Sequence, residues 1–174
     1  PSPHKHRGDW RFGRIEVRAR LPAGNGLWPA IWKLPTHDCH GTWAASGEID
    51  IMEFLGSDPS VAFGTLHFGG QWSRNKHRTA GQVHAKPVES FVSAFHVWAI
   101  EWCADRITWL LDGGPFGKLT SSQWFSEGGE PPALYDQHFH LILNLAVGGN
   151  WPGPPDTSTH FPARLEVNWV NVFQ

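Results

Sequence analysis

Apolar and polar residues alternate along much of the chain, and this alternation predicts a succession of β-strands. Residues 14–21 read Arg-Ile-Glu-Val-Arg-Ala-Arg-Leu, a pattern with the period of two that is typical of a half-buried strand. Residues 138–147 repeat the pattern, with Phe139 on one face and Asn144 on the other. By the same criteria, further strands are predicted at 27–34, 47–53, 61–68, 95–102, 106–112 and 165–173.

The segments between these strands are polar or rich in glycine and proline, so we expect them to form turns and loops. The longest are 69–90 and 113–136, and the second should contain one helical turn near Gln123. No stretch of useful length has the period of about 3.6 residues that marks an amphipathic helix. Many short strands joined by such turns are typical of an all-β, two-sheet jelly-roll sandwich, and 174 residues suit a single domain over 1–174.

Composition narrows the choice of function. The net charge is −2 and the acidic and basic residues are mixed, so nothing favours binding to nucleic acid or to an anionic membrane. No run of about 18 apolar residues is present that would span a membrane. Indole rings stack on sugars and there are 11 Trp, although we expect more than half of them to fill the core. The cysteines, Cys39 and Cys103, are compatible with one disulfide or with two free thiols.

The strand at 47–53 carries an unusual group of acids in the sequence Gly-Glu-Ile-Asp-Ile-Met-Glu. Glu48 and Asp50 are two residues apart, so they point to the same face of a pleated strand. Glu53 would point to the opposite face unless one extra residue, a β-bulge, rotates it back. Ile51 and Met52 are the candidates for that extra residue.

Three carboxylates on one face of an apolar strand repel each other, and packing does not explain them. A solvated sheet face is one interpretation, since polar and apolar residues alternate there in ordinary proteins. Catalysis is the other, because two nearby carboxyls, one ionised and one protonated, are what retaining glycoside hydrolysis requires. The tryptophans that flank the acidic strand favour the catalytic interpretation.

The chain resembles glycoside hydrolase family 16, and most closely its laminarinase (endo-β-1,3-glucanase) branch. The similarity runs from about Trp10 to the C-terminus. Its most specific part is Trp-Ala-Ala-Ser-Gly-Glu-Ile-Asp-Ile-Met-Glu at 43–53, preceded by Gly-Leu-Trp-Pro-Ala-Ile-Trp at 26–32. The segments 12–22, 95–102 and 143–153 also resemble that branch.

The resemblance implies a curved jelly roll with a sugar-binding cleft on its concave face. By matched position, Glu48 would be the nucleophile, Glu53 the general acid/base, and Asp50 would orient the nucleophile. Trp32 and His67 are as compatible with a structural role as with a role in the cleft. The residues that the resemblance places at the substrate are Trp28, Trp32, Trp43, His67, Asn144, Asn150 and Trp151.

The chain also departs from the family pattern. Family members usually have several strands before the segment that matches Trp10, so we expect a separate N-terminal piece, a rearranged edge, or packing against a second copy. The family's terminal strand usually has an Asp that binds structural calcium, and Asn168 occupies that position here. A neutral amide attracts a hard cation weakly, so we expect no cofactor and little calcium dependence. The resemblance also implies secretion.

Hydrolysis of internal β-1,3-glucan bonds is therefore the predicted function, with β-glucan as the partner. One alternative is a non-catalytic glucan-recognition protein, although such proteins typically lose the acids that Glu48 and Glu53 retain here. The other is a hydrolase of mixed-linkage glucan, agar or carrageenan, and sulfated polymers would need a basic cleft. A histidine metal site is disfavoured, although His138 and His140 share a strand face. The basic residues of the 69–90 segment are Arg74, Lys76, His77, Arg78 and Lys86.

Overall fold

Two antiparallel β-sheets face each other across an apolar core in the computed structural model, which describes residues 8–86, 90–130 and 134–174. The six-stranded sheet has the order β1-β10-β3-β4-β5-β6, and the five-stranded sheet has the order β11-β2-β7-β8-β9. No helix among these residues is long and apolar enough to cross a membrane. The strands are β1 (Asp9–Trp10), β2 (Gly13–Arg20), β3 (Leu27–Pro35), β4 (Glu48–Phe54), β5 (Val61–Gly69), β6 (Asn75–His84), β7 (His96–Cys103), β8 (Arg106–Leu111), β9 (Gly114–Thr120), β10 (Phe139–Val147) and β11 (Glu166–Phe173).

Two segments that were predicted as loops contain strands, so those predictions were wrong. β6 lies within 69–90 and pairs with β5 from Gly69↔Asn75 to Val61↔His84. Its side chains are mostly exposed and polar, and backbone pairing rather than an apolar face keeps it in the sheet. β9 lies within 113–136 and pairs with β8. Residues 87–89 and 131–133 of those segments lie outside the described residues.

Several smaller expectations have clear outcomes. The helical turn predicted near Gln123 is confirmed as a 3-10 turn over Ser121–Gln123. The short strand β1 was not predicted, because two residues are too few to carry a period. Both cysteines are free thiols, so the alternative of a disulfide does not hold.

The expectation that most tryptophans fill the core was wrong. Of the 11 tryptophans, Trp98, Trp102, Trp109 and Trp124 are buried. The remaining indoles lie on the surfaces and edges of the sheets. Those on the six-stranded sheet and its adjoining loops include Trp28, Trp32, Trp43, Trp72 and Trp151. The excess of tryptophan therefore belongs mostly to surfaces that water reaches.

The predicted position of the calcium ligand is occupied by a hydrogen-bonded amide. Asn168 is the residue at which the pairing of β11 with β2 is interrupted. Its side-chain oxygen accepts a hydrogen bond from Nη1 of Arg18 at 3.1 Å. Nearby Glu166 is paired with Arg20 at 2.6 Å. Both oxygen groups already have cationic partners, and low calcium dependence stays a prediction.

Lys33 is an unusual member of the core. Its side chain is fully buried and points between the sheets, with Nζ 4.9 Å from the ring centre of Trp102 and 5.4 Å from that of Trp10. Nζ has no hydrogen-bond partner among the described residues. Burial lowers the pKa of Lys33 to about 7, and the charge of Asp9 offsets part of this effect. The cation is stabilised by the charge of Asp9 and by the two indole rings.

Replacing Lys33 by Met should stabilise the fold, by about 1–4 kcal/mol at pH 6, because the buried charge is removed. The pKa is lower in the folded chain than in the unfolded chain, so the unfolded chain binds more protons between about pH 7 and pH 10. The stability of the unsubstituted protein should therefore rise with pH over that window, and the advantage of Lys33→Met should shrink.

Urea denaturation at pH 6 and pH 10 measures this difference. Lys118→Met is the matched control, because Lys118 is exposed on β9. An advantage of Lys33→Met that is equal at both pH values would contradict the assignment of a buried, titrating amine.

Candidate active site

A β-bulge in β4 brings the three acids onto one face. Asp50 pairs with Trp32 of β3, whereas Met52 pairs with the adjacent Ile31, so Ile51 is the extra residue. The pairing of β4 with β5 shifts at the same place, between Asp50 and Glu53. The predicted bulge is confirmed, and Ile51 is the candidate that occupies it. The acidic group formed by Glu48, Asp50 and Glu53 lines one cavity as a result.

That cavity belongs to a longer cleft over the six-stranded sheet. A space of about 570 Å³ beside it also touches Glu48 and Glu53 and extends over β5 and β6. A third space of about 170 Å³ continues past Trp43 towards His140 on β10. Because neighbouring cavities share lining residues, they form one cleft that crosses the sheet, and the acidic group lies in its middle.

Six of the seven predicted substrate residues lie in this cleft. Trp28 and Trp151 contact each other edge to face, with ring centres 5.3 Å apart. Trp32 lines the cleft rather than filling the core, and its indole N–H donates to Oδ1 of Asn144 at 2.7 Å. Asn150 is exposed in the turn after β10 and is not one of the residues that line the cleft cavities. The other two predicted residues that line the cleft are Trp43 and His67.

Sequence reasoning missed part of the cleft wall. His77 and Thr79 line the larger cavity from β6, which was predicted as a loop. Phe63 lines the same cavity from β5. Trp72 is 77% exposed and stacks on Trp43 with ring centres 6.1 Å apart. The alternation of β5 was the available signal for Phe63, since it lies an even number of residues from His67.

Burial and mutual repulsion set the protonation of the acidic group. Desolvation raises the pKa of Glu48, while hydrogen bonds from Trp43 and Asp50 lower it in part. The indole N–H of Trp43 donates to Oε2 of Glu48, with 2.5 Å between the nitrogen and the oxygen. Desolvation, followed by the charges of Glu48 and Glu53, raises the pKa of Asp50 well above its ordinary value. The protonated form of Asp50 is therefore favoured, and in that form it donates a hydrogen bond to the Glu48 carboxylate.

Glu53 is the second protonated acid. Desolvation raises its pKa to about 7, and the charge of Glu48 adds to that effect. The site thus combines Glu48, whose charged form is favoured by hydrogen bonds, with Glu53, an acid that keeps its proton up to about pH 7. This is the pairing of an ionised and a protonated carboxyl that acid-assisted displacement needs.

His67 is neutral despite its acidic neighbours. Its Nε2 lies 3.4 Å from Oδ2 of Asp50 and 3.8 Å from Oε1 of Glu48. Burial, followed by the neighbouring His77, lowers the pKa of His67 to about 4. The ligand atoms of Glu48, Asp50 and His67 lie within 4.8 Å of one another and are the one such cluster among the described residues. These three side chains are therefore the place where a metal ion would find protein ligands.

The sequence matches known proteins along nearly its whole length. The profile of glycosyl hydrolases family 16 matches residues 4–171. A glucan endo-1,3-beta-glucosidase A1 from Niallia circulans is 45% identical over 168 residues, covering 94% of this chain and 24% of that protein. A beta-1,3-glucan-binding protein from Penaeus monodon is 38% identical, covering 94% of this chain and 48% of that protein.

The fold matches solved structures as well. The catalytic domain of an endo-1,3-beta-glucanase (laminarinase) from Thermotoga petrophila RKU-1 aligns with a TM-score of 0.83 at 38% identity. The alignment covers 95% of this chain and 65% of that one. The chain thus spans only part of each of these proteins. The similarity confirms the predicted two-sheet jelly roll.

The electrostatics of the acidic group predict how Glu53 responds to a substitution. Glu48→Gln removes the charge that adds to the effect of burial, so the pKa of Glu53 should fall below about 7. It should stay above its ordinary value because Glu53 remains desolvated. Carbon-13 NMR titration of labelled glutamate carboxyls measures both changes. Glu101→Gln, an exposed change on β7, is the matched control and should leave the Glu53 titration unchanged.

Proposed function

The chain belongs to glycoside hydrolase family 16, and from this premise we propose that it cleaves internal β-1,3-glucan bonds with retention of anomeric configuration. The observation that carries the proposal is the bulge at Ile51, which puts Glu48, Asp50 and Glu53 together on the floor of one cleft. The names of the relatives support β-1,3-glucan as the substrate. Because a large polar polymer does not cross a membrane unaided, we propose that the protein acts outside the cell.

In the first step, the ionised carboxylate of Glu48 attacks the anomeric carbon. The bond from that carbon to the glycosidic oxygen breaks, and Glu53 donates its proton to the departing oxygen. The product is an ester between Glu48 and the sugar, and the leaving half of the polymer departs as an alcohol. Protonated Asp50 donates to Glu48 and orients the attacking carboxylate.

In the second step, water breaks that ester. Formation of the ester removes the negative charge of Glu48, so the pKa of Glu53 falls and its carboxylate is then the favoured form. Glu53 takes a proton from water as the oxygen attacks the anomeric carbon on the face where the leaving group was. Glu48 leaves as a carboxylate, and the site returns to its starting protonation.

The shape of the cleft supports attack on internal bonds. The cavities on either side of the acidic group leave room for sugar units in both directions along a polymer. Indoles line both sides and offer faces for stacking on sugar rings. Neutral His67 next to Glu48 adds a hydrogen-bonding group without adding a charge. The tryptophans at the substrate are Trp28, Trp32, Trp43 and Trp151.

A non-catalytic glucan-binding protein is the second candidate, since the relative from Penaeus monodon has that name. Two features favour the enzyme. Both Glu48 and Glu53 are present, and their surroundings favour different protonation states: hydrogen bonds favour the charged form of Glu48, whereas the charge of Glu48 favours the protonated form of Glu53. A binding protein has no need of a desolvated acid with a pKa near 7, because such a group costs folding free energy.

We expect the protein to release oligosaccharides from laminarin faster than from lichenan. The first product observed by proton NMR should be the β anomer, because two inversions at the same carbon restore the starting configuration. An initial α anomer would contradict the proposed mechanism. Binding of laminarin with no product from either polymer would favour the glucan-binding candidate.

Glu48→Gln and Glu53→Gln should each lower kcat on laminarin by about a thousandfold or more, because they remove the nucleophile or the acid while preserving shape. Asp50→Asn should cost less. Calorimetric titration with laminarin oligosaccharides should show that both Gln variants still bind. Near-normal kcat in either Gln variant would disprove the assignment.

In the unsubstituted protein, activity should fall as pH rises through about 7, because Glu53 loses the proton that it donates.

A further inference from the structure

The backbone of the acidic strand is hydrogen-bonded from behind by a side chain of the opposite sheet. Trp109 lies on β8 of the five-stranded sheet and is fully buried. Its indole N–H donates to the carbonyl oxygen of Asp50 at 2.7 Å. That carbonyl belongs to the residue immediately before Ile51, the extra residue of the bulge. One core side chain therefore contacts the place where β4 departs from regular pairing.

The bulge gives a physical reason for this hydrogen bond. In a regular strand, the carbonyls bond to neighbouring strands, but a bulge interrupts the ladder locally. A buried carbonyl without a partner is costly, so the carbonyl of Asp50 has to find a donor. Trp109 supplies such a donor from across the core.

The neighbouring strand leaves space for the indole to reach β4. Gly64 of β5 lies between the residues that pair with Asp50 and Glu53. A Cβ atom at Gly64 would lie 2.3 Å from Cδ1 and 2.6 Å from Nε1 of Trp109. These separations are far shorter than an ordinary contact between carbon atoms. Glycine at this position is thus what allows the N–H of Trp109 to reach the carbonyl of Asp50.

We propose that Trp109 is a positioning residue for catalysis, whose N–H, passing Gly64, fixes the bulge at Ile51 and with it the relative placement of Glu48, Asp50 and Glu53. The inference rests on the proposed function. It goes beyond that function by assigning a role in it to a residue on the opposite sheet, which does not line the cleft cavities of the described structure.

Trp109→Phe removes the N–H and keeps an aromatic ring. We expect kcat on laminarin to fall by about tenfold to a hundredfold, because small misplacements of reacting groups cost that much. KM should change little, since the cleft residues are intact. The alkaline limb of the pH dependence of kcat should also shift, because the pKa of Glu53 depends on the placement of Glu48.

Trp98→Phe is the matched control. Trp98 is equally buried, and its indole N–H has no hydrogen-bond partner among the described residues. This variant loses the same ring volume without losing a hydrogen bond to the acidic strand. It should keep kcat and the pH profile close to those of the unsubstituted protein, even if its melting temperature falls as much as that of Trp109→Phe.

Gly64→Ala tests the same contact from the other side. The added methyl group should push the indole away from Asp50 and reproduce both the loss of kcat and the shift of the alkaline limb. If both variants act through one hydrogen bond, the double variant should lose less than the product of the two single losses.

Several outcomes would overturn the proposal. Equal losses of kcat in Trp109→Phe and Trp98→Phe would show a general role in the core. A folded Trp109→Phe protein with unchanged kcat and pH profile would show that the hydrogen bond does not position the acids. If Trp109→Phe fails to fold, a benzothienylalanine at 109, which keeps the ring shape and lacks the N–H, decides by the same criteria.

Failure of the proposed function is a separate result. If the unsubstituted protein does not hydrolyse laminarin, the catalytic assignment is wrong whatever Trp109 does. The positioning effect is then measured by NMR titration of Glu53 in the unsubstituted protein and in Trp109→Phe. A changed pKa supports positioning of the acidic group by Trp109, and an unchanged pKa overturns it.

Discussion

One extra residue in β4 is the constraint on which the rest of the site depends. Without the bulge at Ile51, Glu53 would face the core, where a carboxylate is strongly disfavoured, and Glu48 would have no partner acid in the cleft. The bulge in turn requires space and a hydrogen-bond donor from the strands around it. Gly64 leaves room behind it, and Trp109 supplies the donor that its displaced carbonyl needs. The chemistry on one face of the sheet is therefore supported by packing on the other.

Burial of the acidic group costs folding free energy, but it also raises the pKa values on which the proposed catalysis depends. Desolvation raises the pKa of all three acids, and their proximity separates the protonation states because three adjacent charges are unfavourable. Hydrogen bonds from Trp43 and Asp50 favour the charged form of Glu48, whereas burial and the charge of Glu48 favour the protonated form of Glu53. Position within the group, rather than residue type, separates the two glutamates.

The aromatic residues show how one composition serves two purposes. Four buried indoles form part of the core, and some of them also contact polar groups there: Trp102 lies against the amine of Lys33 and donates to the carbonyl of Tyr135, and Trp109 donates to the carbonyl of Asp50. Most other indoles lie on or near the cleft, where a flat apolar face is open to a sugar ring. A count of tryptophans suggested carbohydrate binding, but it did not reveal which indoles belong to which group.

The sequence alone determined the alternation that makes most strands, the acid motif, its bulge and the family, because each is a local pattern in the chain. Only the tertiary structure decided that polar β6 is a strand, that His77 and Thr79 complete the cleft wall, and that Lys33 is buried between two indoles. It also decided that Trp109 reaches Asp50, 59 residues away in the chain. The physical reason is the same in each case. Side-chain direction follows from a residue's own strand, whereas burial, desolvation and hydrogen-bond partners depend on what another part of the chain places against it.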